Sequence, residues 1–196
     1  MLHSSTSKKI VLGSKSPRRS QLLSEAGFTF EVRVQDVDES FHDEMPLEKV
    51  AESLAIRKAE ALKNTIKENE IIITADSVVI LDNKIYNKPA DYDEGVKMLT
   101  ALAGRKHTVI TGVCLLSSEK ETSFSVQTHV MFDDMTSTEM DYYLKNYEPY
   151  DKAGGYGIQD WIGLCKVKMI EGSYSNVMGL PVRELYLALK EFGVSI

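Results

Sequence analysis

Two arginines stand side by side at Arg18 and Arg19, in the stretch "IVLGSKSPRRSQLL" that runs from Ile10 to Leu23. Ser16 and Pro17 just before them read as a helix start, serine as the cap and proline at the first helical position. Positive charge at a helix N-terminus opposes the macrodipole, so the placement is costly unless an anion sits there. A strand, a small-residue turn and a helix N-terminus together make an anion cradle of backbone N–H groups. Ser14 and Ser16 add hydroxyl donors, and the forked guanidinium groups suit phosphate. A capped helix with two solvated arginines explains the same residues, and local physics leaves the two readings level. The stretch is not a Walker loop, because it lacks G-x-x-x-x-G-K-[ST].

Asp76 interrupts "IIITADSVVIL", the most hydrophobic run of the chain, which reads as a central strand. An aspartate inside a buried strand is expensive unless a cation, a metal or hydrogen-bond donors pair with it. At the cleft edge of a sheet such a carboxylate can activate water or hold a metal ion. At a strand end, backbone N–H groups would satisfy it instead. Lys58 lies on the apolar stripe of a predicted helix, where it either snorkels or points into a cleft toward an anion. Lys88, in "NKPA", is a loop lysine with a rigid proline behind it. Glu39 belongs to the acidic loop "VDESFHDEMP". With Asp76 it would give two carboxylates for one magnesium beside a polyphosphate; otherwise it is part of a solvated loop. "KAGGYGIQ" and "GSYSNVMGLP" place glycines where the backbone needs close approach or positive φ, although two tight turns account for them as well. Gln159, closing the first of these loops, carries an amide able to read a base edge.

These residues need elements to hold them. Ile10–Leu12 reads as a short buried strand, a helix follows from Pro17 and stops at Gly27, and "FTFEVRV" alternates as a strand. Leu47 to about Lys63 is a strongly amphipathic helix, and "LDNKIY" looks like a hairpin turn. Asp91 with Glu94, and Thr136 with Glu139, read as helix caps. "HTVITGVCLLSS" and "TSFSVQTHVMF" form an antiparallel pair. "YDKAGGYGIQDW" and "EGSYSNVMGLP" read as loops, "LCKVKMI" as a strand, and a last helix runs from Pro181 toward Gly193. Helices alternate with strands while hairpins intrude, so the expected fold is α/β with a mixed sheet rather than a doubly wound parallel one.

The 196 residues fit one domain, taken here as residues 10–196 behind a frayed segment 1–9. A net charge of −6 argues against a nucleic acid polymer or an anionic membrane as partner. Cys114 and Cys165 stand far apart without metal-ligand spacing and read as free thiols in a reducing cytoplasm. The N-terminus has no apolar stretch of signal-peptide type, and no run approaches the ~18 apolar residues of a membrane span.

Taken in order, "GSKSPRR", "ITADSVV", "NKP", "HTVITGV", "YDKAGGYGIQ" and "GSYSNVMGLP" resemble the Maf family, the septum-formation-type nucleotide pyrophosphatases, over almost the whole chain. The resemblance implies an elongated, two-lobed α/β fold with a mixed sheet and a central cleft, shared with inosine triphosphate pyrophosphatases. It implies hydrolysis of a nucleoside triphosphate to the monophosphate and pyrophosphate with a divalent cation, Mg2+ or Mn2+. It also implies a homodimer, a house-cleaning role and a link to cell-division arrest. Asp76 stands at the family's proton-acceptor position. Ser14, Arg18, Arg19, Glu39, Lys58 and Lys88 match conserved polar positions lining the cleft. Arg18, Ser77 and Gln159 match the positions that divide the family by substrate, and "SPRR" with a Gln after "GI" resembles the dTTP/UTP branch, with modified pyrimidines within reach. The chain departs from the pattern in having Ser77 where Thr is commoner, Tyr147 where Gly is common, Asp160 and Trp161 in a usually small, Gly-rich segment, and Met178 for Val. Two other classes remain open: a nucleotide-binding regulator of cell division, with tight binding and negligible turnover, and a phosphotransferase, releasing orthophosphate or a phosphorylated acceptor. The identity of the products separates all three.

Overall fold

The computed structural model describes residues 8–42 and 44–194. Of the segment 1–9 read above as frayed, residues 1–7 lie outside the described residues, and Lys9 already pairs in the first strand. The apolar runs around Ile10 and Ile71 bury on both faces and pair in parallel, β1 (Lys9–Leu12) against the first third of β3 (Glu70–Leu81). On its other side β1 pairs in parallel with β2 (Phe30–Val32), which is shorter than the alternation of "FTFEVRV" suggests. Phe28 leaves the strand pattern to bury in the core, and the paired register ends at Val32, with the Arg33 amide still donating to the Leu12 carbonyl at 3.1 Å.

The second edge of β3 is filled by β5 (Lys106–Leu116), antiparallel from Ile72 to Ile80, followed by β6 (Glu121–Phe132) and β7 (Val167–Glu171), both antiparallel. The hairpin read at "LDNKIY" is present. Asp82 and Asn83 take φ of 50° and 56°, as a two-residue primed turn requires, and return the chain as β4 (Lys84–Tyr86). The sheet is therefore mixed and seven-stranded, in the order β2-β1-β3-β5-β6-β7 with β4 beside β3. This bears out the expectation of a mixed rather than a doubly wound parallel sheet.

One consequence of this order creates the site. β1 covers its edge of β3 only to Ile73, and β4 covers the same edge only from Val79. Between them, Thr74 to Val78 have no strand partner on that side among the described residues. The notch leaves backbone oxygen and the side chains of Asp76 and Ser77 accessible from the edge of an otherwise buried strand.

Helices close both faces. The helix α1 (Pro17–Glu25) and the helix α2 (Leu47–Leu62) flank the N-terminal half of β3 on opposite faces, through Leu22 and Leu23 on one side and Ala55, Ala59 and Leu62 on the other. Asp91 and Thr136 cap α3 (Tyr92–Leu102) and α4 (Ser137–Tyr147) as read, the latter with a full capping box. Both pack with Val79, Leu81 and Val109 on the face that α1 shares. That face thus carries two apolar clusters, one under α1 and the last helix, α7 (Val182–Glu191), the other under α3 and α4.

Three local readings are corrected. Ser16 sits at the N-cap of α1 without a capping side-chain bond. "LCKVKMI" is not wholly strand, because Trp161–Cys165 forms a short helix, α5, with backbone bonds from Gly163 and Leu164 back to the Asp160 carbonyl. "EGSYSNVMGLP" contains a one-turn helix, α6 (Tyr174–Met178), capped by Ser173 and ended by Gly179 at φ 115°, a conformation that disfavours any side chain. After it, α7 spans Val182–Glu191.

Gly112 links fold to site. It pairs with Asp76 across β3 and β5, and a Cβ placed on it would fall on the α2 backbone at Ala51 and Glu52. A side chain here would push α2, and Lys58 with it, off the sheet. Gly112→Ala is expected to cost about 2 kcal/mol in urea melts; unchanged stability would show that α2 can shift without penalty.

Candidate active site

All nine residues singled out in the sequence, Ser14, Arg18, Arg19, Glu39, Lys58, Asp76, Ser77, Lys88 and Gln159, line one cavity of about 540 Å3. They arrive from separate elements: Ser14 from the β1–α1 turn, Arg18 and Arg19 from the first turn of α1, and the others from the loop before α2, α2 itself, the notch of β3, the β4–α3 loop and the Gly-rich loop after α4. Cavities of this size are usual for small-molecule sites.

Arg19 is half-buried, and among the described residues no carboxylate lies within ion-pair distance of it. Its Nε donates to the Gly179 carbonyl at 2.8 Å, Nη1 to Ala75 O at 2.7 Å and Ser14 Oγ at 3.2 Å, and Nη2 to Ser77 Oγ at 3.1 Å. The guanidinium thus plugs the notch, taking the Ala75 carbonyl that no strand claims. Burial lowers its affinity for the proton, and the fields of Asp76 and Glu39 work against that. The result is a half-buried cation held by neutral oxygens and lining the cavity. Ser14 Oγ accepts from both Arg19 and the Ser16 amide, so its own hydrogen stays available to another acceptor. The solvated-arginine reading fails for this residue. Arg18, 20% exposed, turns to the rim and pairs with Asp151 at 2.6 Å. Burial favours the neutral Asp151 carboxyl, but hydrogen bonds from Lys152 and Arg18 outweigh it and hold the group below the usual carboxylate range.

Lys58 does not snorkel to water. Its ammonium lies 2.5 Å from Asp76 Oδ1 and 2.7 Å from Glu39 Oε1, at 16% exposure. Asp76 is 15% exposed and Glu39 49%. Burial alone would raise the Glu39 carboxyl, yet Lys58, with Lys88 and Arg19 behind it, pulls it below its ordinary value. The solvated-loop reading of Glu39 fails here too. Two carboxylates converge on one cation, although the described residues hold no group of three or more His, Cys, Asp and Glu side chains placed for a metal. Lys88 is exposed and has no ion pair among the described residues.

Ser77 is fixed from two sides, by Arg19 and by Thr111 Oγ1 at 2.9 Å. Thr111 in turn donates to the Asn176 carbonyl at 3.0 Å, and the buried Asn176 amide ties α6 to Val109 and Thr128 on the sheet. Gln159 presents a buried Oε1 with no hydrogen-bond partner among the described residues, while its loop is pinned by Tyr143, whose hydroxyl donates to Asp160 Oδ2 at 2.8 Å and accepts from the Gly157 amide at 2.9 Å. Behind the loop Tyr156 meets His107 Nε2 at 2.7 Å. Burial pushes His107 down to about 4, so this prop is neutral near pH 7.

The sequence reading missed Asp151, Lys152, Thr111 and the structural part played by Asn176. Asp151 and Lys152 sit within the quoted "YDKAGGYGIQ", but a charged pair in a loop carries no signal of its own. Thr111 and Asn176 become visible only when strand register brings β5 beside Ser77 and α6.

Residues 9–192 match the family model described as Maf-like protein. A dTTP/UTP pyrophosphatase of Parabacteroides distasonis is 48% identical over 193 residues, covering 98% of this chain and 100% of that protein. One from Phocaeicola vulgatus is 46% identical over 192 residues, covering 97% and 100%. One from Porphyromonas gingivalis is 47% identical over 198 residues, covering 100% of both. Among solved structures, the Ham1 protein of Staphylococcus aureus aligns with a TM-score of 0.48 at 17% identity, over 65% of this chain and 73% of that one.

Proposed function

We propose, on the premise that this chain belongs to the Maf family, that it hydrolyses the pyrimidine triphosphates dTTP and UTP to the monophosphate and pyrophosphate by attack of water on the α-phosphorus. The observation that carries the reading is the pairing of opposites in the β3 notch. Asp76 and the uncompensated cation Arg19 occupy neighbouring positions of one cavity. A carboxylate there repels phosphate, so it serves binding alone poorly and proton transfer well.

The residues divide the work. A triphosphate oxygen entering the cavity competes with the two carboxylates for the Lys58 ammonium, which leaves an Asp76 oxygen to accept the proton of the attacking water. The new bond joins that water oxygen to the α-phosphorus, and the bond to the bridging oxygen breaks as pyrophosphate leaves. Arg19, Lys58 and Lys88 offset the charge gathering on the leaving group. Such positioning and electrostatics are the main terms in phosphoryl chemistry. The Glu39 and Asp76 carboxylates would hold Mg2+ or Mn2+, hard cations that prefer oxygen ligands. When bound, that ion would polarise the phosphate oxygens and lower the charge the water must approach.

Gln159 supports the base preference. Its unpartnered Oε1 would accept from a pyrimidine imide N–H, and a buried acceptor left unsatisfied costs about 1–3 kcal/mol. Gln159→Ala should therefore narrow the preference for dTTP and UTP over CTP by about 10-fold or more in competition kinetics; an unaltered ratio would move base reading elsewhere. The full reading includes a single domain over residues 10–196, a homodimer and a cytoplasmic setting. No helix among the described residues is long and apolar enough to cross a membrane.

The test is a panel of triphosphates with Mg2+ or Mn2+ and identification of the products. Monophosphate plus pyrophosphate supports the reading. Tight binding without turnover would favour the regulator, and orthophosphate or a phosphorylated acceptor the phosphotransferase.

A further inference from the structure

We infer that Arg57 is a positioning residue for Glu39, holding the segment between β2 and α2 so that the Glu39 carboxylate stays over Lys58 and Asp76. Arg57 Nη1 donates to the Asp38 carbonyl at 2.5 Å and to the Ser40 carbonyl at 2.7 Å, the residues on either side of Glu39. Its neighbour on α2, Lys58, holds the Glu39 side chain itself at 2.7 Å. Two consecutive helix residues therefore grip one loop residue, one through the flanking backbone and one through the side chain.

The local chemistry suits that grip. The Asp38 side chain accepts from the Ser40 amide at 2.9 Å and the Ser40 hydroxyl at 2.6 Å. This small Asx-type turn keeps both carbonyls within reach of one nitrogen. Beyond it, Phe41 packs on the cluster of Val50 and Leu54 from α2. Arg57 makes no ion pair among the described residues, although the segment it touches is acidic. A cation spent on two neutral carbonyls fixes direction rather than neutralising charge. Glu39 is half exposed on a segment without helix or strand, so ordering it costs conformational entropy. The clamp meets that cost before any cation arrives. Outer partners of this kind set the affinity of a metal-holding carboxylate. The inference rests on the proposed role of Glu39 beside a divalent cation.

Two measurements on the full chain test it. The first is amide hydrogen exchange over residues 36–42 without nucleotide or metal. Arg57→Ala should speed exchange there and leave the β3 amides unchanged; equal protection in variant and parent overturns the clamp. The second is Mn2+ affinity, read by paramagnetic resonance of the free ion in the presence of a non-hydrolysable α,β-imido dTTP. Arg57→Ala should weaken Mn2+ by about 10-fold, with the dTTP KM at saturating metal within about twofold. Faster exchange with unchanged Mn2+ affinity overturns the link to the cation. Should Arg57→Ala fail to fold, Arg57→Lys gives the same two readings at smaller amplitude. Glu39→Gln keeps the tests separate: if it binds Mn2+ as the parent does, the metal role of Glu39 falls and this consequence with it, while the exchange result still decides the clamp.

Discussion

Asp76→Asn lowers the turnover of dTTP by about 10^3-fold, with thermal stability and triphosphate binding near those of the parent chain. The size follows from the role, since a positioned general base contributes a factor of this order. The retained fold follows from the surroundings. Lys58 keeps Glu39 as partner at 2.7 Å when the Asp76 charge is gone, so no ammonium is left unpaired. The amide fills the same volume in a notch that no strand needs to enter. Steady-state kinetics with pyrophosphate detection and a thermal melt check both halves. A variant that keeps its rate would remove Asp76 from the chemistry.

Arg19→Ala carries the second large effect, and it strikes stability and catalysis together. The substitution leaves Ala75 O and Gly179 O without their donor and frees Ser14 and Ser77 from their shared anchor. Unsatisfied buried acceptors at about 1–3 kcal/mol each imply a loss of about 3 kcal/mol in urea unfolding. The missing cation removes charge stabilisation common to every triphosphate, so kcat/KM falls by about 10^2- to 10^3-fold for dTTP, UTP and CTP alike. Arg18→Ala is expected to differ. Arg18 lies at the rim, pairs with Asp151 and is not built into the notch, so its loss should shift the ratio among substrates more than the common rate. If the two variants behave alike, the division between a shared phosphate cation and a selective rim residue is wrong.

Much of this was legible in the sequence for identifiable reasons. Long β-branched runs announced β3, β5 and β6, and the capping pairs at Asp91 and Thr136 announced α3 and α4, because those signals are local. Asp76 could be singled out because a carboxylate inside an apolar strand has a known cost. What local reasoning left level was the solvent state of Arg19, Lys58 and Glu39. Their environment is set by residues far away in the chain: Gly179 and Ala75 for Arg19, Asp76 for Lys58. The notch itself could not be read, since it arises from where β1 stops and β4 starts along one edge. The clamp of Arg57 on the Asp38 and Ser40 carbonyls was hidden for a related reason. A side chain bonded to backbone leaves no mark in the residue types it holds. The short helices α5, which straddles the end of a predicted loop and the start of a predicted strand, and α6, inside a predicted loop, escape the sequence because five residues are too few to show a helical period.

The central claim is attack of water on the α-phosphorus. Turnover of dTTP in oxygen-18 water, with mass analysis of both products, tests it in one step. One oxygen-18 atom is expected in the dTMP phosphate and none in the pyrophosphate. Label in the pyrophosphate, or release of orthophosphate and dTDP, would contradict it.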